Sequence, residues 1–346
     1  MTSAWLIWGS SLPARWRILF LALGFVSLAF GLAGGLARLT PLDVTGNAIA
    51  LHGALMVSAF FGTVISLERA VALDRLWAYG APLGAGIGGL LLLLGLPFEG
   101  FVCMTLAAAL FVAASIAVLA RQRSVEMATL AAGAVAWLVG NAGVLAGVAA
   151  VPWWIAFFVL TIGGERLELS RYLKRGRVVR GAFIVLMAGV LFAPLAPRLL
   201  GVLLVLLALW LFAFDLARVT VRQARLPRYA AVCLLAGYFW LAVGGALMAL
   251  ELGYDAALHA IFVGFVFSMV FGHAPIILPA VLRKPFPYRP VLYVPLALLH
   301  ASLAVRMFWQ QPGAWGNAAA IALFILTAAW LVISVDPRQG GRAAAR

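Results

Sequence analysis

Charged residues are scarce in this sequence. Only 10% of its 346 residues are Asp, Glu, Lys or Arg, whereas 65% are apolar. Soluble domains are about 25% charged and about 45 to 50% apolar, so the composition excludes a soluble globular protein. The excess apolar surface has to face lipid, and the sequence predicts an integral membrane protein whose first partner is the bilayer.

Cysteine is almost absent as well. The only two, Cys103 and Cys233, lie inside apolar runs, which excludes a disulfide framework and a CxxC metal or redox site. The net charge of +14 would suggest a nucleic acid partner in a soluble domain. Here the basic residues lie between apolar runs, so we interpret them as topological signals and expect no nucleic acid partner.

The apolar runs are long enough to cross a bilayer, which takes roughly 20 residues. Prolines and short polar segments separate twelve of them, and no polar stretch is long enough for a second domain. The sequence therefore predicts an all-α, polytopic protein with one transmembrane domain over residues 1–346. The predicted spans are 15–37, 47–73, 78–96, 99–120, 126–149, 152–172, 179–196, 199–222, 228–250, 255–282, 289–309 and 314–334.

The basic residues indicate the orientation of these spans. Of the 25 lysines and arginines, all but Arg38, Arg198 and Arg306 fall on one side of a twelve-span topology. Cytoplasmic loops carry the excess of Lys and Arg in membrane proteins. We therefore expect a multi-pass protein of the cell inner membrane with both termini in the cytoplasm.

Short internal similarities suggest a repeat every four helices. Residues 59–69 and 156–166 share Ala-Phe-Phe followed at equal spacing by Glu-Arg, and Leu-His occurs early in both the second and the tenth span. These matches predict three four-helix units in a pseudo-threefold arrangement. Chance similarity in a chain rich in Phe and Ala is the alternative.

The four histidines all lie within predicted spans, where an imidazole is costly unless it is bonded. His52 and His259 each lie about five residues into spans that run in the same direction, at roughly 7 Å depth. Two imidazoles at one depth suit bis-histidine haem ligation. Alternatively, each binds a carbonyl or water near the interface. Arg306 lies at the level of the haem propionates and either binds them or extends outward to water.

The other two histidines suggest a second metal centre. His273 follows His259 by fourteen residues, which on a continuous α-helix places both on nearly one face. His300 is expected at a similar depth, and Glu165 in the inner half of span 6. This His, His, Glu set suits copper, iron or a second haem. Polar residues that merely satisfy one another are the alternative.

Several segments resemble the NnrS family: Tyr-Phe-Trp-Leu-Ala at 238–242, Ala-Ala-Leu-His-Ala-Ile-Phe-Val-Gly at 256–264, Ile-Gly-Gly at 162–164 and Leu-His-Gly-Ala-Leu-Met at 51–56. The resemblance implies a twelve-span protein that contains haem and copper and handles electrons or a small gas, with a link to nitric oxide and nitrosative stress. The family is similar in layout to the catalytic subunit of haem-copper oxidases, which implies haem ligands on helices 2 and 10.

The sequence also departs from these families. It has four histidines in total, whereas the oxidase subunit needs six for two haems and a copper, so a standard oxygen-reducing centre is excluded. Glu165 and Glu168 replace a less charged stretch of the NnrS pattern. A haem/copper oxidoreductase with a respiratory or cytochrome partner is one expectation. A multispan transporter or a non-catalytic subunit of a respiratory complex is the alternative.

Overall fold

A computed structural model gives the structure of the protein and describes residues 12–170 and 176–334. These residues form helices and no strand, which confirms the all-α prediction. A helix lies at each of the twelve predicted positions within the described ranges. The helices are α1 Ala14–Ala37, α2 His52–Leu73, α3 Leu76–Leu93, α4 Pro97–Arg121, α5 Val125–Leu145, α6 Val151–Ser170, α7 Arg177–Leu195, α8 Pro197–Phe214, α9 Arg225–Ala249, α10 Tyr254–Leu282, α11 Pro290–Arg306 and α12 Gln310–Ile333.

Ten helices in the described residues are long and apolar enough to cross a membrane. The chain is therefore a multi-pass membrane protein. Two helices lie outside this group. One is α6, whose C-terminal half carries Glu165, Arg166 and Glu168, and the other is α11, which is shorter than the others. Twelve crossings therefore stay a prediction.

The contacts between helices divide the chain into two compact units with a boundary between Leu195 and Ala196. Unit 1 holds α1 to α7, in which α3 packs on α4, α4 on α5, and α5 on α6. Unit 2 holds α8 to α12, in which α8 packs on α9, α9 on α10, and α11 on α12. The pseudo-threefold arrangement of three four-helix units stays a prediction.

Unit 1 has a buried polar cluster that joins α2 to α5 and α6. The Ser58 hydroxyl donates to Asn141 Oδ1 at 2.6 Å, and the Trp137 indole donates to Ser58 Oγ at 2.9 Å. Trp154 donates to the same Asn141 oxygen at 3.1 Å. Because these polar groups satisfy one another, they can be buried among apolar helices and fix how the helices align.

Unit 2 is held together by close helix contacts. Gly264 on α10 faces Trp240 on α9, so closely that a Cβ at this glycine would overlap the indole. Phe271 on α10 stacks on Phe324 on α12 with ring centroids 3.9 Å apart and 8° between the planes. The small residue Gly264 allows α9 and α10 to approach closely, as is common in membrane bundles. The stacked rings of Phe271 and Phe324 hold α10 against α12.

Candidate functional site

Two helices change their winding directly after a histidine. In α2, a π-helical segment covers Leu55–Phe61, three residues after His52. In α10, a π-helical segment covers Ala260–Phe267, immediately after His259. π segments are rare and occur frequently at functional sites. The two histidines that the sequence selects as haem ligands therefore share a local backbone feature that hydrophobic periodicity does not reveal.

In unit 1, His52 is bonded to an arginine from the end of α1. Arg38 Nη1 lies 3.1 Å from His52 Nδ1. A guanidinium can only donate, so Nδ1 accepts and the proton of the neutral ring lies on Nε2. The chain can turn this tightly because Gly34 on α1 touches the Ala48 carbonyl, where a side chain would collide.

In unit 2, His259 has the opposite arrangement. Its Nδ1 lies 2.8 Å from the backbone oxygen of Asp255, one helical turn earlier, and 3.3 Å from the Asp255 Oδ1. Both oxygens only accept, so Nδ1 carries a proton, and in the neutral ring Nε2 then carries the lone pair. This is the arrangement that metal-binding histidines usually adopt, since the N–H on the far nitrogen fixes the ring.

Arg306 lies beside this histidine. Its Nη2 donates to Asp255 Oδ2 at 3.2 Å and is 3.5 Å from His259 Nδ1. The Arg306 side chain is 8% exposed, and its buried Nε has no hydrogen-bond partner among the described residues. The structure thus brings together the predicted haem ligand and the predicted propionate-binding arginine, and it leaves a buried guanidinium N–H available for an acceptor.

His300 is fully engaged by neighbours in unit 2. The Trp240 indole donates to His300 Nδ1 at 3.0 Å, and Ser268 Oγ lies 3.2 Å from His300 Nε2. The Ser268 hydroxyl itself donates to the Cys233 carbonyl at 2.7 Å, so His300 Nε2 must be the donor to Ser268. Both ring nitrogens of His300 are therefore used in hydrogen bonds within the bundle.

His273 donates from Nδ1 to the Met269 carbonyl at 2.7 Å, one helical turn earlier. The prediction that His273 and His259 share a face assumes a continuous α-helix, whereas a π segment, Ala260–Phe267, lies between the two histidines. Among the described residues, no three His, Cys, Asp or Glu side chains form a group that could hold a metal ion. The second metal centre stays a prediction.

Glu165 lies in unit 1, in the C-terminal half of α6. It is half-buried and is surrounded by the charges of Arg69, Arg166 and Glu168. Arg166 is only 4% exposed. These charges compensate one another in a region where isolated charges are costly. A role for Glu165 as a metal ligand stays a prediction.

Arg38 and Asp255 contact the two histidines but were not among the predicted site residues. Like Arg306, Arg38 is one of the three basic residues that do not fall on the predicted cytoplasmic side, and this could have drawn attention to it. Its contact with His52, however, depends on a loop that brings His52 back to the end of α1. Asp255 had a local signal. It precedes His259 by four residues, the spacing at which helical side chains meet.

Residues 17–333 match the profile of a family described as "Domain of unknown function (DUF8744)". Because the match covers most of the chain, the protein belongs to this family. No curated protein and no solved structure matches the chain.

Proposed function

We propose that this protein is a membrane haem protein that handles electrons or a small gas such as nitric oxide, and that His259 is a residue that would hold the haem. The proposal follows the resemblance to the NnrS family. Its main support is the arrangement of His259, Asp255 and Arg306 in unit 2.

Two features of this arrangement fit a haem. His259 keeps its proton on Nδ1, which leaves the Nε2 lone pair for iron. Arg306 offers a buried Nε–H that has no protein acceptor in the described residues, and a guanidinium binds carboxylates such as haem propionates well. The bound haem would supply a redox-active iron that binds small gases. The protein would fix the imidazole and hold the propionate in an apolar bundle.

Copper or a second haem is a weaker part of the proposal. His300 has both ring nitrogens in hydrogen bonds to Trp240 and Ser268, so it would have to lose these bonds to bind a metal. We therefore centre the proposal on a haem at His259. The basic loops support an inner-membrane location with cytoplasmic termini, and an electron-transfer role would require a respiratory or cytochrome partner.

The absorption spectrum of the purified full-length protein tests this proposal. We expect a Soret band in the wild type that is lost in His259→Ala. Glu251→Gln is the matched control, because Glu251 is an exposed carboxylate of unit 2 that binds Arg198 and no histidine. A wild type that carries no haem when it is produced with ample haem supply would contradict the proposal.

A solute transporter is the second candidate. It is favoured by the buried Arg166 and the half-buried Glu165 in α6, since charged side chains within spans often mark a substrate or ion pathway. Uptake into liposomes that depends on Glu165 and is unchanged in His259→Ala would support this candidate. Against it, the similarity between spans 2 and 6 relates helices of one orientation, whereas many transporters use inverted repeats.

A further inference from the structure

We infer that one end of unit 2 is a binding surface for the phosphate headgroups of anionic phospholipids. Between residues 196 and 334 the sequence has nine lysines and arginines, and seven of them lie in or beside the connections from α8 to α9 and from α10 to α11. We call this part of unit 2 the basic end. Its seven cationic residues, all exposed, are Arg218, Arg222, Arg225, Arg228, Arg283, Lys284 and Arg289.

The packing of α9 against α10 brings the two connections together. Gly264 of α10 faces Trp240 of α9. About two turns further along α10, Gly272 faces Cys233, which lies about two turns earlier in α9. The two helices are therefore antiparallel, and the end of α10 lies beside the start of α9. A short helical turn before α9, Ala217–Thr220, also packs on α9.

The start of α11 lies at the same end. The Tyr229 ring of α9 packs edge-on against the Tyr293 ring of α11, with centroids 5.2 Å apart and 90° between the planes. The Tyr293 hydroxyl interacts with Tyr288 and with the charge of Arg228. A guanidinium and phenol hydroxyls therefore lie close together at the basic end, and both kinds of group donate hydrogen bonds to phosphate oxygens.

The positive charge of the basic end is not neutralised in the way that it is at the opposite end of unit 2. There, Arg198 binds Glu251 and Arg306 binds Asp255. These two acids and Asp215 are the only ones in the sequence from 196 to 334. Asp215 is 1% exposed and accepts a hydrogen bond from the Ala217 backbone N–H. The basic end therefore presents an excess of positive charge, which attracts anions.

Two of the arginines occupy backbone positions that favour glycine. Arg225 at the start of α9 has a φ of 58°, and Arg283 directly after α10 has a φ of 53°. Glycine adopts this left-handed conformation more easily than any other residue. The local backbone therefore does not account for an arginine at either position, and glycine can replace it without harm to the helices.

The surface next to the basic end favours a lipid over a soluble anion. Ile276 in the last turns of α10 and Val291 and Val294 in the first turns of α11 are exposed apolar side chains. A phospholipid matches both features, since its phosphate meets the basic residues and its acyl chains meet the apolar ones. Inorganic phosphate or a nucleic acid would use the positive charge alone.

The experiment measures lipid binding to the full-length protein in a neutral detergent by microscale thermophoresis. The protein is titrated with short-chain phosphatidylglycerol, with phosphatidylcholine of the same chain length, and with inorganic phosphate. We expect phosphatidylglycerol to bind most tightly. In Arg225→Gly/Arg283→Gly its affinity should fall about fivefold for each arginine removed, which corresponds to about 1 kcal/mol per basic residue near an anionic surface. The variant should unfold at the same temperature as the wild type without lipid, because glycine suits both backbone positions.

The matched control removes two exposed arginines of unit 1, in Arg121→Gln/Arg123→Gln. These lie outside the basic end, so the affinity for phosphatidylglycerol should change less than about twofold. An equal loss in the two double variants would mean that the basic end has no special role, and would overturn the inference. Phosphatidylcholine or inorganic phosphate that binds as tightly as phosphatidylglycerol would also overturn it, as would a short single-stranded DNA that binds more tightly. None of these measurements depends on haem, so their outcome is separate from that of the proposed function.

Discussion

At the scale of single residues, the sparseness of polar groups made part of the site predictable. His259 and Arg306 stand out because few polar residues occur within the spans, and the structure places them 3.5 Å apart. Their partners were not predicted. The loop after α1 brings His52 next to Arg38, and Trp240 on α9 donates a hydrogen bond to His300 on α11. Neither contact could be predicted from the spacing of residues along one helix.

The hydrogen bond from Trp240 to His300 leads to a prediction about stability. Trp240→Phe removes the indole donor and leaves His300 Nδ1 without it, so we expect a loss of about 1 kcal/mol in unfolding free energy, as is typical of hydrogen bonds between membrane helices. Reversible unfolding in mixed micelles measures this loss. Trp330→Phe is the control, since Trp330 is 57% exposed. If Trp240→Phe instead changes the metal content of the protein, His300 is a metal ligand.

The buried guanidinium of Arg306 leads to a prediction about haem retention. Arg306→Gln removes a charged donor from the proposed propionate site, a loss of about 1.5 to 3 kcal/mol, so haem affinity should fall at least about tenfold. Haem transfer to an excess of apomyoglobin measures this affinity. Arg198→Gln is the control. Arg198 lies on the same predicted side, and its hydrogen bonds to Glu251 hold the pKa of that carboxyl below its usual range. Equal affinity in the two variants would mean that Arg306 does not bind the haem.

At the scale of elements, the helices were predictable and their irregularities were not. The length of the apolar runs and the prolines between them place the ends of the predicted helices within five residues of the observed ends in the described ranges, except that the predicted span 199–222 extends eight residues beyond Phe214. The π segments at Leu55–Phe61 and Ala260–Phe267 were missed because a π turn leaves the apolar pattern of a buried helix unchanged. They matter for the site, since an added residue changes the direction in which every later side chain points.

Two glycines of α2 lead to a prediction about helix packing. Gly62 follows the π segment and touches the Trp137 ring, where a Cβ would overlap the indole. Gly62→Ala should therefore destabilise unit 1 by about 1 to 3 kcal/mol, the usual cost of overpacking. Gly53→Ala is the matched control on the same helix, because no atom from elsewhere in the described residues lies within 4 Å of its added Cβ. Thermal unfolding in detergent compares the two variants, and equal stability would contradict this packing.

At the scale of the whole molecule, composition predicted a membrane bundle, and the ten long apolar helices in the described residues agree with it. The number of crossings is harder to predict. Val151–Ser170 is long enough to cross, but three charges lie in its C-terminal half, and it is not among the ten helices that are long and apolar enough to cross a membrane. The family match covers residues 17–333 but carries no function, so the chemistry has to be argued from the side chains.

The topology leads to a prediction about accessibility. In a full-length chain whose two cysteines are replaced by alanine, single cysteines at Val148, Gly176 and Gln223 report the side of the membrane. We expect a membrane-impermeant thiol reagent to label Val148→Cys in intact cells, and to label Gly176→Cys and Gln223→Cys only after the cells are opened, because the basic loops face the cytoplasm. Labelling of positions 148 and 176 from one side would mean that α6 does not cross.

The most direct measurement for the account as a whole is the amount of haem per chain in the purified protein, determined by pyridine haemochrome assay in the wild type and in His259→Ala. We expect one haem per wild-type chain and almost none in the variant. A thermal unfolding assay should show that both proteins are folded. A haem content that is the same in both proteins would contradict His259 as the ligand, and a wild type without haem would contradict the proposed function.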